Sequence, residues 1–166
     1  MIKSLLASAA RYAAQFGGAD LAARPSKRVA IVACMDARLN LYGLLGLREG
    51  DAHVLRNAGG VVTDDVIRSL AISQELLGTE TIILVHHTDC GMTVLPEEEL
   101  SARLARRAGS RPPFRLETFE DVDADVRNSI ERIHASPFVF FKQAIYGFVF
   151  DVRTGQLRAV GSTART

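Results

Sequence analysis

Short apolar runs alternate with helical patterns along most of this chain, an order typical of proteins built on a parallel β-sheet. Residues 28–34 and 81–87 are β-branched and almost continuously apolar, so each is predicted to be a strand buried on both faces. Residues 51–57 alternate apolar and polar positions less strictly and are predicted to form a further strand. The strand–helix–strand order implies right-handed crossovers, so the carboxyl ends of these strands are expected to lie near one another.

Helical periodicity and capping residues predict the helices between these strands. Thr63 is a helix N-cap followed by two aspartates, which favour the positive end of the helix dipole, and Gly78 suits the residue after the helix end. Pro96 with three glutamates opens another helix, which ends in two arginines before Gly109. The other predicted helices cover residues 1–16, residues 40–46 and a stretch that begins at Val122 and ends before Pro137.

The last part of the chain has the pattern of a β-hairpin. Residues 145–152 form a predicted strand, Thr154 and Gly155 a turn, and residues 156–160 the returning strand. This hairpin would place antiparallel pairing at one edge of the sheet. The sequence contains no internal repeat, and residues 1–166 are expected to fold as a single α/β domain with a mainly parallel central sheet, flanking helices and an antiparallel edge.

Composition narrows the functional classes. The chain has 166 residues, 48% of them hydrophobic, and a chain of this length builds a core without disulfide bonds. Its two cysteines make no secreted disulfide framework, and its formal net charge of +1 gives no general attraction to nucleic acid or membranes. No apolar stretch approaches the roughly 20 residues that span a bilayer. We therefore expect a cytoplasmic protein with reduced thiols, no nucleic-acid or membrane partner, and a function that depends on a localised site.

Three polar clusters, at residues 34–38, 56–60 and 87–91, follow predicted strands. In open α/β sheets, ligands bind outside the carboxyl ends of the strands, at the point where the strand order reverses. Cys34, His87 and Cys90 would make a Cys₂His set there, an arrangement known for catalytic zinc, in which three protein ligands leave the fourth position to water. Taken singly, each is more simply a buried thiol or a packed histidine, but their joint position at strand ends favours a metal site.

Each of the other polar sets in these clusters has both a functional and a purely structural interpretation. Asp36 and Arg38 follow the first thiol, and a bidentate carboxylate–guanidinium pair could hold the carboxylate beside a metal-bound water; the alternative is an ordinary loop salt bridge. The loop formed by Asn57, Ala58, Gly59 and Gly60 could offer backbone N–H groups to a small anion, because glycine permits close approach, and it is also expected to be a tight turn.

The three motifs Cys-x-Asp-x-Arg, Arg-Asn-Ala-Gly and His-x-x-Cys-Gly, in this order and spacing, resemble those of the β-class carbonic anhydrases, in particular a compact bacterial subgroup related to carbonyl sulfide hydrolase. The motifs occupy residues 34–91, and the predicted helices and final strands also fit that layout, so the resemblance covers most of the chain. Two positions depart from the pattern: Ala37 stands where many relatives have Ser, and Gly60 where many have Asn.

The resemblance implies a site and a reaction. It implies one Zn²⁺ per chain held by Cys34, His87 and Cys90, with Asp36 and Arg38 as the active-site dyad. The candidate substrate-binding residues are Asn57, Ala58, Gly59 and Gly60. The implied reaction is the reversible hydration of CO₂ to bicarbonate and a proton through a zinc-bound hydroxide. In some relatives the aspartate swings onto the metal, so Asp36 is a possible fourth ligand in a closed state at lower pH.

The resemblance also implies a homodimer, possibly a tetramer, in which the N-terminal helix at about residues 1–16 packs on the partner. The mean hydropathy of +0.10 and a helical stripe of apolar residues are consistent with such a contact, although the stripe could equally pack on its own domain. The stripe consists of Ile2, Leu5, Leu6, Ala9, Tyr12, Ala13 and Phe16.

Other functions use the same residues differently. Hydrolysis of carbonyl sulfide or carbon disulfide at the same zinc is one alternative, and a non-catalytic zinc-binding regulatory module is another. The retained Asp36 and Arg38 argue against the regulatory module, because a purely structural zinc site is usually closed by a fourth protein ligand. A thiol redox protein is disfavoured, since the chain has no Cys-x-x-Cys and the role of His87 would be unexplained. His53, His86 and His134 receive no role.

Overall fold

The computed structural model describes residues 1–163 and contains a five-stranded sheet with helices around it. The strands are β1 (Val29–Cys34), β2 (Ala52–Asn57), β3 (Thr81–His87), β4 (Ile145–Phe150) and β5 (Leu157–Ser162). The helices are α1 (Ile2–Ala14), α2 (Leu41–Leu45), α3 (Asp64–Glu75), α4 (Glu97–Ala108) and α5 (Val122–Ala135), with a 3₁₀ turn at Gly91–Thr93.

The strand order is β2-β1-β3-β4-β5, and every pair is parallel except the antiparallel β4–β5 edge. This confirms the predicted α/β architecture and its antiparallel hairpin. The chain passes from β1 to β2 on one side of β1 and then returns to β3 on its other side, so the strand order reverses between β1 and β3. Ligands bind at this kind of switch point, beyond the carboxyl ends of the two strands.

The core lies in two layers, one on each face of the sheet, which explains why β1 is apolar at consecutive positions. Ala30 and Val32 face one layer, which includes residues of α3 and α5. Ile31 and Ala33 face the other layer, together with Cys34 and Cys90. The packing of this layer thus brings both thiols to the same face of the sheet.

Element ends differ from the predictions by one to a few residues, for local reasons. β1 begins at Val29 because Arg28 has a φ of 53°, which is incompatible with a strand. α3 begins after Thr63, whose hydroxyl accepts a hydrogen bond from the Val66 amide, and it ends at Glu75, before Gly78 with its φ of 67°. β4 ends at Phe150 because the next residues enter the hairpin turn.

Two helices contribute little to the core. Within the described part of the chain, neither α1 nor α4 has a buried residue. The apolar stripe of α1 is exposed, although the Tyr12 hydroxyl donates a hydrogen bond of 2.5 Å to the Glu49 carboxylate. Packing of this stripe on the chain's own domain is thus not observed. Among residues 1–163, no helix has both the length and the apolar character needed to cross a bilayer.

Candidate metal centre

The structure brings together the three residues predicted as metal ligands. Cys34 is the last residue of β1, His87 is the last residue of β3, and Cys90 lies in the turn that follows. Their ligand atoms all lie within 4.8 Å of one another, and the three side chains are buried. Parallel pairing of β1 with β3 produces this convergence, because it aligns the carboxyl ends of the two strands.

The spacing of these donors fits a tetrahedral metal ion. The two sulfur atoms are 4.0 Å apart, close to the roughly 3.8 Å edge that two Zn–S bonds of about 2.3 Å span at the tetrahedral angle. His87 Nδ1 lies 2.8 Å from the Thr88 carbonyl oxygen, a contact that suits an Nδ1–H donor. Its buried Nε2 has no hydrogen-bond partner among residues 1–163 and so remains free to bind a metal.

The two thiols differ strongly in acidity. A hydrogen bond from Cys90, opposed by burial and reinforced by His87, lowers the pKa of Cys34 to about 4. The same hydrogen bond, together with burial, raises the pKa of Cys90 well above its usual value. One thiolate and one thiol thus share a proton in the metal-free site. Because thiolates are the metal-binding form, metal binding is expected to release this proton.

Asp36 and Arg38 form the bidentate pair that the sequence suggested. Arg38 Nε and Nη2 lie 3.0 and 2.8 Å from the two carboxylate oxygens of Asp36, and the Arg38 amide also donates to Asp36 Oδ1 over 2.9 Å. These hydrogen bonds hold the pKa of Asp36 far below its usual range. Asp36 Oδ2 lies 3.7 Å from His87 Nε2, so an ionised carboxylate stands beside the donor set. The catalytic role of the pair and the closed state remain predictions.

Two further contacts around this pair were missed by sequence reasoning. Arg56 Nε and Nη2 donate to the Cys34 carbonyl oxygen over 3.0 and 2.8 Å, and Nη2 also donates to the Asp36 carbonyl oxygen over 2.7 Å. Arg38 Nη1 lies 3.1 Å from Asp89 Oδ2. Only its place in a predicted strand could have pointed to the first contact. In the structure Arg56 is the penultimate residue of β2 and lies beside Ala33 of β1 in register.

The Asn57–Gly60 loop is a tight turn, as one of its two interpretations predicted. Asn57 accepts a hydrogen bond from the Gly60 amide over 3.3 Å, and its side-chain amide donates to the Val61 carbonyl oxygen over 2.8 Å. The Asn57 carbonyl oxygen also accepts a bond of 2.8 Å from the Met35 amide. The loop, with Ala58 and Gly59 at its centre, therefore lies directly beside the Cys34–Arg38 segment. Anion binding by this loop remains a prediction.

Gly60 packs tightly against the first ligand. Its φ is 75°, and a Cβ added there would lie 2.7 Å from the Cys34 backbone nitrogen. Gly155 is a matched control, because it has a φ of 73° but no atom within 4 Å of an added Cβ.

We expect Gly155→Ala to lower the free energy of unfolding by about 1–2 kcal/mol, the usual penalty of the left-handed conformation. Gly60→Ala should lose roughly 1–3 kcal/mol more through overpacking. Urea denaturation measures both values, and equal losses would contradict this packing.

His86 and His53 form hydrogen bonds outside the Cys₂His group. His86 lies on the face of β3 opposite His87, where its Nε2 is 2.7 Å from the Asp125 carboxylate in α5. His53 Nδ1 is 2.7 Å from the Ser73 hydroxyl. Neither histidine belongs to the Cys₂His group.

Fold and site define an α/β protein with a buried Cys₂His group, suited to a metal ion, at the reversal point of its sheet. A model of the family described as "Carbonic anhydrase" matches residues 29–157. β-Carbonic anhydrase 1 of Mycobacterium tuberculosis is 54% identical over 155 residues, which cover 93% of this chain and 94% of that protein. The chain belongs to the β-carbonic anhydrase family, and carbonic anhydrases are lyases.

Two further comparisons place the chain within related proteins. The crystal structure of a carbonic anhydrase from Streptococcus mutans matches with a TM-score of 0.90 and 42% identity, covering 96% of this chain and 97% of that chain. A carbon disulfide hydrolase from Acidithiobacillus thiooxidans is 32% identical over 153 residues, covering 80% of this chain and 77% of that protein. The predicted resemblance is therefore confirmed, including its link to hydrolases of a sulfur-containing molecule.

Proposed function

We propose that this protein is a zinc-dependent carbonate dehydratase, which hydrates CO₂ reversibly to bicarbonate and a proton. The observation that carries the proposal is the buried Cys34–His87–Cys90 group with the ionised Asp36 carboxylate 3.7 Å from His87 Nε2. The 54% identity to a protein named β-carbonic anhydrase 1 supports the same substrate.

Cys34, His87 and Cys90 would hold the zinc ion. When bound, zinc supplies Lewis acidity that lowers the pKa of water from 15.7 to about 7 and so provides a nucleophile at neutral pH. The fit rests on the donor chemistry: two sulfurs, and an imidazole nitrogen whose other ring nitrogen is already fixed by the Thr88 carbonyl. Three protein ligands leave one position of a tetrahedral ion for water, as a catalytic site requires.

Asp36 would orient the nucleophile. An ionised carboxylate only accepts hydrogen bonds, so Asp36 would accept one from the water and direct its lone pair toward the substrate carbon. Arg38 keeps this carboxylate ionised and in place through two hydrogen bonds of 3.0 and 2.8 Å. The proton released in the reaction would pass to buffer. The Asn57–Gly60 loop would border the substrate, because it is hydrogen-bonded to the segment that carries Asp36.

Hydrolysis of carbon disulfide or carbonyl sulfide is the second candidate, favoured by the 32% identity to a carbon disulfide hydrolase. Both reactions begin with the addition of water to a linear triatomic molecule, and the same zinc site could serve either, so the geometry of the ligands does not separate them. Stopped-flow CO₂ hydration and sulfide release from CS₂, measured on the same zinc-loaded preparation, distinguish the two. We expect kcat/KM for CO₂ to exceed that for CS₂, and the reverse order would replace the first proposal by the second.

A non-catalytic zinc module is the third candidate. The ionised dyad beside the ligands argues against it, because a regulatory site has no need of an oriented carboxylate. We also propose a cytoplasmic location, since both cysteines are free and the site needs them reduced.

We propose that the protein is a homodimer, or a tetramer built from such dimers, in which α1 packs on the partner chain. The apolar stripe of α1 supports this: Leu5 and Leu6 are 60% and 63% exposed in the single chain. Exposed apolar stripes of this kind mark protein contacts.

Substitution of the stripe should separate the subunits. We expect Leu5→Glu with Leu6→Glu to raise the dimer dissociation constant at least about a hundredfold, because each buried leucine contributes about 1.5–3 kcal/mol. Ala7→Glu, on the opposite face of α1, is the matched control and should leave the dimer intact. Light scattering coupled to size-exclusion chromatography measures the mass of each variant. A monomeric wild type, or a dimer unaffected by the double substitution, would contradict this role of α1.

A further inference from the structure

The guanidinium of Arg38 is held from two sides. One edge carries the bidentate pair with Asp36. On the other side, Nη1 lies 3.1 Å from Asp89 Oδ2, and Nη2 lies 3.0 Å from the Asp89 backbone carbonyl oxygen. Asp89 belongs to the turn between His87 and Cys90, so Arg38 connects the dyad to the segment that carries two of the three metal ligands.

Asp89 has the backbone conformation that this contact uses. Its φ is 56°, in the left-handed region that aspartate, asparagine and glycine tolerate best. In this conformation both its carboxylate and its carbonyl oxygen bind the same guanidinium. If this position served only the turn, asparagine or glycine would fit its backbone conformation as well as aspartate does. The turn alone therefore does not explain the charge of Asp89.

The surroundings of Arg38 explain why a second anchor matters. Its side chain is 46% exposed, and an arginine held at one edge retains freedom to move together with its carboxylate partner. Asp36 Oδ2 accepts a hydrogen bond from Arg38 Nη2 and also lies 3.7 Å from His87 Nε2. A shift of the guanidinium would therefore change the direction in which the Asp36 carboxylate faces the metal ligands.

We propose that Asp89 is a positioning residue, which acts through Arg38 to keep the Asp36 carboxylate oriented toward the metal ligands. This inference rests on the proposed function and adds a residue to its machinery. Asp89 competes with Asp36 for the positive charge of Arg38, but its hydrogen bonds fix the plane of the guanidinium relative to the ligand turn. The positioning effect of Asp89 is larger than its competition for charge. Asp89 is mostly exposed, so its removal changes the strength of the bidentate Asp36–Arg38 pair only a little.

Asp89→Asn and Asp89→Gly test the proposal, because both tolerate the left-handed backbone while one removes the charge and the other the whole side chain. We expect Asp89→Asn to lower kcat/KM about three- to tenfold, and Asp89→Gly to lower it at least as much, with zinc content unchanged. Glu99→Gln is the matched control, because it breaks an exposed ion pair with Arg103 outside the site. It should leave kcat/KM unchanged.

A double-mutant cycle separates positioning from a structural role. In an Arg38→Ala background, Asp89→Asn should change kcat/KM less than about twofold, because the residue through which it acts is absent. An equal loss in both backgrounds would overturn the proposal. Loss of zinc from Asp89→Asn would also overturn it, because Asp89 would then support the ligand turn rather than Arg38.

A second measurement needs no turnover. In NMR spectra of the zinc-loaded wild type, the Arg38 Nη1 protons should give slowed exchange with solvent. Asp89→Gly should remove this protection, and Asp89→Asn should reduce it, because the amide oxygen remains a weaker, uncharged acceptor. The Nε proton should keep its protection in both variants. Unchanged Nη1 exchange would overturn the proposal. A wild type inactive on both CO₂ and CS₂ would overturn the proposed function and, with it, the catalytic role of Asp89. An active wild type with an equally active Asp89→Asn would overturn this inference alone.

Discussion

His87→Gln is expected to weaken zinc binding at least about a hundredfold and to reduce CO₂ hydration to the rate of buffer. The substitution removes the imidazole Nε2 that is buried without a hydrogen-bond partner among residues 1–163. Two sulfur donors would remain, too few to hold the ion in a defined geometry. Cys34→Ser and Cys90→Ser should have the same effect, because a serine hydroxyl stays protonated where the thiol ionises.

His53→Gln is the matched control for this loss. His53 is partly buried whereas His87 is fully buried, but both have one hydrogen-bonded ring nitrogen, and that of His53 contacts Ser73 on α3 rather than the metal site. We expect it to retain one zinc per chain and its activity. Zinc content by atomic absorption and folding by circular dichroism would be measured for each variant. Full zinc content in His87→Gln would contradict the assignment of this residue as a ligand.

Asp36→Asn is expected to lower kcat/KM about 10²- to 10⁴-fold while zinc content stays at the wild-type level. The amide has the same shape but presents N–H donors where the carboxylate only accepts, so it can no longer orient the water. It also loses the bidentate contact with Arg38. Arg38→Lys should be impaired as well, because an ammonium cannot reproduce the paired geometry of the guanidinium.

Asp51→Asn controls for the loss of a hydrogen-bonded carboxylate. Asp51 accepts hydrogen bonds from the Arg48 amide and the Ser26 hydroxyl, which lower its pKa. It lies just before β2, at the amino end of the parallel strands, whereas the metal ligands lie at their carboxyl ends. Its substitution should leave kcat/KM unchanged. If Asp36→Asn kept wild-type kcat/KM with zinc bound, the dyad would be a loop salt bridge without a catalytic role.

The convergence of the three ligands could be predicted from sequence because it depends on strong local patterns. The continuous apolar runs that form β1 and β3 end at Cys34 and His87, and parallel strands align such ends. Pairing of Asp36 with Arg38 was also expected from the sequence, since residues two apart in one short loop lie within reach of each other, and the structure gives it bidentate geometry. These features need only the strand pattern and the spacing within one loop.

Other features depend on tertiary structure and were not predictable in this way. The Asp89–Arg38 contact requires a left-handed residue in a turn, and nothing in the spacing of the motif shows the backbone angle. Arg56 binds the carbonyl oxygens of Cys34, at the end of β1, and of Asp36 in the following loop, and this depends on the register of β2 against β1. The exposure of α1 was likewise undecided, because an apolar stripe predicts burial without showing the surface that covers it.

Titration of zinc into metal-free protein, with CO₂ hydration measured by stopped flow at each step, tests the central claim most directly. We predict that the rate rises in proportion to bound zinc and reaches its maximum at one zinc per chain. The titration with His87→Gln should stay at the buffer rate throughout. Wild-type protein that binds one zinc per chain and hydrates CO₂ no faster than buffer would contradict the proposed function.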